Sequence, residues 1–187
     1  MIKINVPRII LSLTICLFSI NVQANEANWK FAQEGNKIIL IRHSIAPGGG
    51  DPPGFNINDC ETQRNLSQQG VAQSKKIGEL FKKNKVQIDQ VLSSQWCRCK
   101  DTAKYAFKKF KEFPALNSTF QSPYNKNEQK QIREINNFVK KWNGKGKNLI
   151  LITHYSVITA ITNAVPGSGE IIVTDKNFNV LNTIPTN

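Results

Sequence analysis

The chain has 187 residues, a length typical of one domain. It carries 25 Lys and Arg residues against 13 Asp and Glu residues, a formal net charge of +12, which favours anionic partners such as phosphorylated metabolites. No internal repeat, low-complexity block or known nucleic-acid module is visible, so we exclude repeat proteins and do not expect nucleic acid as a partner.

The first 24 residues follow the three-part pattern of a secretory signal. Lys3 and Arg8 form a basic start, residues 9–20 are largely apolar, and a small residue, Ala24, ends the pattern. The apolar run is too short to span a bilayer comfortably, and no other run in the sequence is long enough. We expect cleavage after Ala24, which leaves residues 25–187 as one periplasmic or secreted domain. The alternative is an uncleaved membrane anchor.

Three cysteines remain after that cleavage: Cys60, Cys97 and Cys99. In an oxidising compartment a disulfide is expected. Cys97 and Cys99 are poorly spaced to pair with each other, so Cys60 is expected to pair with one of them and to leave one thiol free. A zinc site built on the Cys-x-Cys pair is the lesser alternative, because the chain offers no obvious further ligands.

Apolar runs typical of buried strands alternate with helical patterns. The two clearest runs cover residues 37–41 and 148–153 and are continuous, as in strands buried on both faces. Further strands are predicted over residues 89–93, 113–116, 169–174 and 180–184, and helices over residues 67–84, from about 97, from 127 to about 142 and over 155–163. Strands separated by helices predict a three-layer α/β/α fold with a mostly parallel central sheet and helices on both faces.

The two histidines of the chain both follow a buried-strand pattern. His43 comes directly after the first run, with Arg42 before it, and His154 comes directly after the 148–153 run. Ligands of such sheets bind at the carboxyl ends of the strands. Arg64 and Arg98 also lie beside predicted helix starts, and guanidinium groups bind phosphate oxygens in a bidentate way. The pattern predicts a phosphate site.

The segments around these residues resemble the histidine phosphatase superfamily, also called phosphoglycerate mutase-like. Residues 40–44, Leu-Ile-Arg-His-Ser, match the apolar strand that ends in Arg-His-Gly. Residues 64–70 match the family's run of arginine, leucine, Ser or Thr, and glycine. Residues 93–103 match its Ser-Ser-Pro segment with a following arginine and Thr-Ala, and residues 152–154 match its late strand ending in histidine. The resemblance spans roughly residues 37–161 in the family's order.

The resemblance implies that His43 attacks phosphorus as a neutral imidazole, and that a cationic His154 serves as a hydrogen-bond donor. The implied catalytic residues are His43, His154, Arg42 and Arg98, and the implied substrate-binding residues are Arg42, Ser44, Arg64, Arg98 and His154. No cofactor and no metal are implied. Because Cys60 precedes Arg64 by four positions and Cys97 and Cys99 flank Arg98, we expect the disulfide to fix the phosphate pocket.

Three positions depart from the family pattern. Ser44 replaces a glycine, and Gln95 replaces the usual proline. The stretch at residues 116–119, where many members carry an acidic general acid, has no carboxylate. Candidates for that role are Asp51, Asp59 and Glu61, in or beside the long loop at residues 48–59. Loss of a general acid costs about 10²–10⁴ in rate, so we expect slow activity or activity confined to good leaving groups.

We therefore expect a metal-independent phosphomonoesterase that forms a phosphohistidine and acts on an exported substrate, for example a phosphorylated glycan of the cell envelope. A mutase is less expected because the chain is short. One alternative is a non-catalytic module of the same fold that binds phosphate or phosphoglycan. Another is a basic protein that binds envelope phosphates by charge alone, in which case binding would weaken with salt.

Overall fold

A computed structural model describes residues 28–186 of the protein. The expected signal segment, which comprises the first 24 residues, lies outside the described residues. Within the described part of the chain, no helix is long and apolar enough to cross a membrane.

One six-stranded sheet forms the centre of the molecule, with the strand order β3-β2-β4-β1-β5-β6. The strands are β1 Ile38–Arg42, β2 Ile88–Ser93, β3 Lys111–Glu112, β4 Asn148–Thr153, β5 Ile171–Thr174 and β6 Val180–Ile184. Strands β3, β2, β4 and β1 run parallel, whereas β5 is antiparallel to both β1 and β6. The expected mostly parallel sheet is confirmed, and the two late strands form its antiparallel edge.

The main helices are α1 Gln68–Lys83, α2 Cys97–Phe107, α3 Glu128–Lys141 and α4 Tyr155–Thr162, and residues 28–34 are also helical. Ser67 caps α1, since its Oγ accepts a hydrogen bond of 3.1 Å from the Gly70 amide. The strand expected over residues 113–116 is wrong. Pro114 begins a single 3₁₀ turn there, because proline fixes φ and cannot donate to a strand ladder.

Both faces of the sheet are buried, which explains the continuous apolar runs of β1 and β4. On one face, alternate residues of these strands pack against α1 and α2; on the other, the remaining residues pack against α3 and α4. The first layer contains Ile39, Ile41, Ile150, Ile152, Ile77, Phe81, Cys99 and Ala103, and the second contains Ile38, Leu40, Leu149, Leu151, Ile135, Val139, Val157 and Ile158. The packing fixes β1 beside β4, with their carboxyl ends at the same edge.

Candidate active site

The two histidines meet at that edge. Register pairs Arg42 with Thr153, and one residue further the His43 amide donates to the Thr153 carbonyl at 2.9 Å. The imidazole rings of His43 and His154 lie 5.4 Å apart between centroids, and both side chains are almost fully buried. Both line a cavity of about 120 Å³, together with all three arginines selected from the sequence. Parallel pairing thus brings together residues that are 111 positions apart in the chain.

His43 is held as a neutral ring with one free nitrogen to react. Its Nδ1 lies 2.9 Å from the Ser44 carbonyl oxygen, which can only accept, so Nδ1 carries the proton and Nε2 carries the lone pair. Burial, followed by the positive charge of Arg98, holds the pKa of His43 well below its usual value. The ring therefore stays neutral at neutral pH, as a histidine nucleophile requires.

His154 is also neutral, which corrects the expectation of a cationic ring. Its Nδ1 lies 3.5 Å from Nη2 of Arg98, which can only donate, so the proton is on Nε2, 2.9 Å from the Ser94 hydroxyl. Burial lowers the pKa of His154 well below the usual value, and the charge of Arg98 and the His43 ring lower it further. In such surroundings a second cation next to Arg98 is unfavourable.

Arg42 and Arg98 line the same cavity as the two histidines. Arg42 donates from Nη1 to the Pro166 carbonyl at 2.9 Å, and its guanidinium carbon lies 5.9 Å from the centre of the Tyr155 ring. Nε of Arg42 and Nε of Arg98 are both buried without a hydrogen-bond partner among the described residues. A buried donor with no partner is costly, so two such N–H groups near one cavity fit an anion-binding site.

Arg64 connects the cavity with the long loop. Its Nε donates to the Gly50 carbonyl at 2.8 Å, and its Nη1 donates to the Ala46 carbonyl. Burial, then the charge of Arg98, lowers the pKa of Arg64. Gly50 adopts φ +71°, a left-handed conformation that glycine adopts without strain, so this position of the loop favours glycine.

Asp51 is the one general-acid candidate that lies in the cavity, and it is an ionised acceptor. Its two oxygens accept from both Nη atoms of Arg98, at 2.7 and 3.1 Å. They also accept from the Trp96 indole N–H at 2.9 Å and from the Arg64 amide at 3.2 Å. Burial raises the pKa of Asp51, but the hydrogen bonds and charge of Arg98 outweigh this effect and lower it. A carboxylate in this state has no proton to give.

The other two candidates lie away from the cavity. Asp59 and Glu61 are exposed, and Asp59 accepts from the Glu61 amide at 3.0 Å, which caps the short 3₁₀ turn Cys60–Thr62. Neither side chain lines the cavity. Among the described residues, Asp51 is the only carboxylate that does.

Ser44 lies behind His43 rather than in the cavity wall. Its hydroxyl accepts from the Ser74 hydroxyl at 2.8 Å, and its amide donates to the Thr102 hydroxyl at 3.0 Å. Its carbonyl holds Nδ1 of His43, so Ser44 orients the ring through its backbone. The side chain that replaces the family's glycine points toward α1, and Ser44 does not line the cavity as the expected substrate contact would.

A disulfide ties the loop to the start of α2. Cys60 bonds Cys97 and leaves Cys99 free, which decides the pairing that the sequence left open. Burial raises the pKa of the Cys99 thiol to about 12. Because Cys97 is bonded to Cys60, it is not available as a thiolate for zinc. Within residues 28–186 no group of three or more His, Cys, Asp or Glu residues could hold a metal. Stacking of Phe55 on Trp96, with ring centroids 5.0 Å apart, also fixes the loop.

Several cavity residues were missed by sequence reasoning. They are Ser118, Phe120, Gln121, Tyr155 and Ser156. Tyr155 and Ser156 directly follow His154, and their position at a strand end was a usable signal. Phe120 and Gln121 lie in an irregular segment between two 3₁₀ turns, for which local sequence gives no placement.

Neutral histidines surrounded by guanidinium groups, at the strand ends of an α/β sheet, define the class: an α/β protein with a candidate phosphate site. The sequence model of the "histidine phosphatase superfamily (branch 1)" matches residues 38–148. The chain belongs to this superfamily.

Solved structures share the fold. One is the candidate phosphohistidine phosphatase SixA from Agrobacterium tumefaciens, with 17% identity, TM-score 0.53, and 80% of this chain and 98% of that chain covered. TTHB049 from Thermus thermophilus has 16% identity, TM-score 0.55 and coverages of 81% and 99%. A candidate alpha-ribazole-5'-P phosphatase from Escherichia coli K-12 has 16% identity, TM-score 0.53 and coverages of 79% and 96%. No curated protein sequence matches. At these identities the likeness is one of fold.

Proposed function

We propose that the protein is a metal-independent phosphomonoesterase that works through a phosphohistidine on His43. One observation carries the proposal: Nδ1 of His43 is bound to a carbonyl, so the lone pair of Nε2 is available within a cavity lined by cations. The cavity is lined by three guanidinium groups and one carboxylate, a net charge of +2 that matches a phosphate monoester dianion.

In the first step, Nε2 of His43 attacks phosphorus and the bond from phosphorus to the ester oxygen breaks. The leaving oxygen keeps the electron pair. Arg42 and Arg98, whose buried Nε–H groups have no partner among the described residues, stabilise the phosphoryl oxygens as charge spreads over them. Ser44 stabilises the positive charge that develops on the ring, since its carbonyl accepts from Nδ1.

In the second step, a water oxygen attacks the phosphorus of the phosphohistidine. The phosphorus–nitrogen bond breaks, Nε2 recovers its lone pair, and the water's protons go to phosphate and solvent. His154, held by Ser94 and beside Arg98, is a neutral wall of the phosphate pocket. Its role is to position the phosphoryl group next to Arg98 rather than to add charge.

We also propose that the protein acts outside the cytoplasm, in the periplasm or as a secreted protein. The signal-like pattern that ends at Ala24 supports this location, as does the Cys60–Cys97 disulfide, because disulfides persist in oxidising compartments. The location suggests a small phosphorylated substrate reached from the envelope, such as a glycan phosphate. Sequencing the N-terminus of the exported protein after expression in bacteria tests the cleavage after Ala24.

The deciding experiment is hydrolysis of p-nitrophenyl phosphate by the purified protein with chelator present, for wild type and His43→Ala. We expect turnover by the wild type, loss of turnover in the variant, and an acid-labile phosphoryl group on the peptide that contains His43. Circular dichroism shows whether the variant is folded, and Arg133→Ala, which removes an exposed cation on α3, is the control for a change of surface charge. Turnover by a folded His43→Ala would show that the nucleophile is wrong.

A second candidate function is binding of phosphate or phosphoglycan without catalysis. The observation in its favour is that the only carboxylate lining the cavity, among the described residues, is bound to Arg98. This candidate predicts that neither the wild type nor His43→Ala hydrolyses p-nitrophenyl phosphate, and that both bind inorganic phosphate, measured by calorimetry.

A further inference from the structure

Two aromatic side chains stand at the opening of the cavity that contains His43. Phe120 is 63% exposed and Tyr155 is 38% exposed, and both line the same cavity as the three arginines. The Arg42 guanidinium carbon is 5.9 Å from the Tyr155 ring centroid, so this ring lies next to a proposed phosphate contact. An exposed aromatic at a cavity rim offers an apolar face to a ring of similar shape.

Among the residues that the structure describes, the cavity also offers no protonated carboxyl group and no imidazolium to protonate a leaving oxygen. Asp51 accepts four hydrogen bonds, two of them from Arg98, and therefore acts only as an acceptor. The proton of His154 is on Nε2 and faces the Ser94 hydroxyl. His43 is the proposed nucleophile, and its own proton is bound to the Ser44 carbonyl. This cavity therefore favours a leaving group that departs readily as an anion.

We propose that the substrate is an aryl phosphate, the phosphate ester of a phenol, whose ring packs against Phe120 and Tyr155. The proposal rests on the phosphatase activity proposed above, and it names a substrate class other than the glycan phosphate that export alone suggests. A phenol such as tyrosine ionises near pKa 10, whereas water, a guide to simple alcohols, ionises near 15.7. A phenolate therefore leaves without protonation far more easily than an alkoxide. Together, the aromatic rim and the missing acid select for a phenol.

The reaction balances without a protein acid. Nε2 of His43 forms a bond to phosphorus, the phosphorus–oxygen bond breaks, and the phenolate departs with the electron pair. Solvent then protonates the phenolate. Water hydrolyses the phosphohistidine to inorganic phosphate and free His43, so that one water is consumed for each ester.

The test compares kcat/KM for phenyl phosphates of decreasing leaving-group acidity with kcat/KM for glycerol phosphate and glucose 6-phosphate. In the wild type we expect a steep fall as the phenol becomes more basic, and an aryl preference of about 10²–10⁴ over the alkyl esters. For Phe120→Ala we expect KM for phenyl phosphate to rise about two- to tenfold with little change in kcat. Phe120→Leu keeps apolar bulk without the ring. Tyr105→Ala removes a 39% exposed aromatic of α2 outside the cavity and is the matched control.

Equal rates on aryl and alkyl esters by a wild type that depends on His43 would overturn the proposal and leave the phosphatase function intact. That result would favour the glycan phosphate suggested by export. An unchanged KM in Phe120→Ala, or an equal rise in Tyr105→Ala, would also overturn it. If the wild type hydrolyses neither class of ester, the phosphatase function fails and this proposal fails with it.

Two sources of an aryl phosphate are distinguished by comparing phosphotyrosine as the free amino acid with a phosphotyrosyl peptide. A higher kcat/KM for the peptide places the aryl phosphate on a protein. Equal values place it on a small molecule. Both results support the substrate class, whereas failure to hydrolyse either phosphotyrosine compound overturns it.

Discussion

The cavity has two halves that are held in place by different means. The strand-end half contains His43 and His154, and it is fixed by parallel pairing of β1 with β4 and by backbone bonds such as His43 N–H to Thr153 carbonyl. The loop half contains Asp51 and Arg64 and has no strand or long helix. It is fixed by side chains: a buried ion pair, a disulfide and donors of Arg64 that hold the loop's carbonyls.

Because of this difference, the groups proposed to react and the groups that position Arg98 depend on different parts of the fold. The proposed reacting groups depend on β1 and β4, whose apolar side chains are fully buried. The orientation of Arg98 depends on the loop, because both of its Nη atoms are bound to Asp51. Changes in the loop half should therefore alter the stability of the protein and the contact of Arg98 with phosphate. The histidines should instead make the stability of the protein depend on pH.

The largest effect is expected from breaking the ion pair between the two halves. Arg98 and Asp51 lie 2.7 Å apart with 2% and 4% of their side chains exposed, so Asp51→Ala leaves a buried cation without its partner. We expect the free energy of unfolding to fall by about 3–5 kcal/mol, measured by urea denaturation. Glu112→Ala breaks the half-exposed Lys100 pair at 3.4 Å and should cost less than about 1 kcal/mol. Equal losses in both variants would refute the distinction between a buried and an exposed pair.

The disulfide is the second link between the loop and α2. Cys60 and Cys97 are 37 positions apart, and loop-closure entropy gives about 3–4 kcal/mol for a ring of this size. Cys60→Ser with Cys97→Ser should therefore lower the free energy of unfolding by up to that amount, again by urea denaturation. Reduced wild type is the matched control and should unfold with the same midpoint as the double variant. A double variant as stable as the oxidised protein would mean that the other loop contacts suffice.

The strand-end half could be predicted from sequence, and the loop half largely could not. Continuous apolar runs before His43 and His154 reveal two buried parallel strands, and the topology of such sheets then brings their ends together. The partner of Asp51 gives no local signal, because Arg98 is 47 positions away and the contact depends on how the loop folds. Local sequence likewise gives no signal that Cys60 pairs with Cys97 rather than with Cys99, because the two cysteines lie only two positions apart on one helix.

Protonation states were predictable only in part. The neutral state of His43 follows from its implied role, and burial beside arginines supplies the physical cause. The cationic state expected for His154 was wrong, because the position of Arg98 beside its Nδ1 cannot be inferred from two strand patterns. Phe120 was missed for the same reason: its irregular segment reaches the cavity only through tertiary packing.

The smallest expected effect tests the strand-end half by pH. Burial, with the charge of Arg98, lowers the pKa of both His43 and His154, whereas in the unfolded chain each titrates near 6.5. Below about pH 6.5 the unfolded state therefore binds more protons than the folded state, and stability must fall as pH falls. Each histidine contributes at most about 1.4 kcal/mol per pH unit in this range. Urea denaturation between pH 7.5 and 5.5, values on the order of one unit either side of that pKa, gives the free energy of unfolding at each pH. This free energy should fall less steeply with falling pH in His43→Gln than in wild type. Equal slopes would mean that folding does not lower the pKa of His43, and burial beside Arg98 would then not be what keeps its ring neutral.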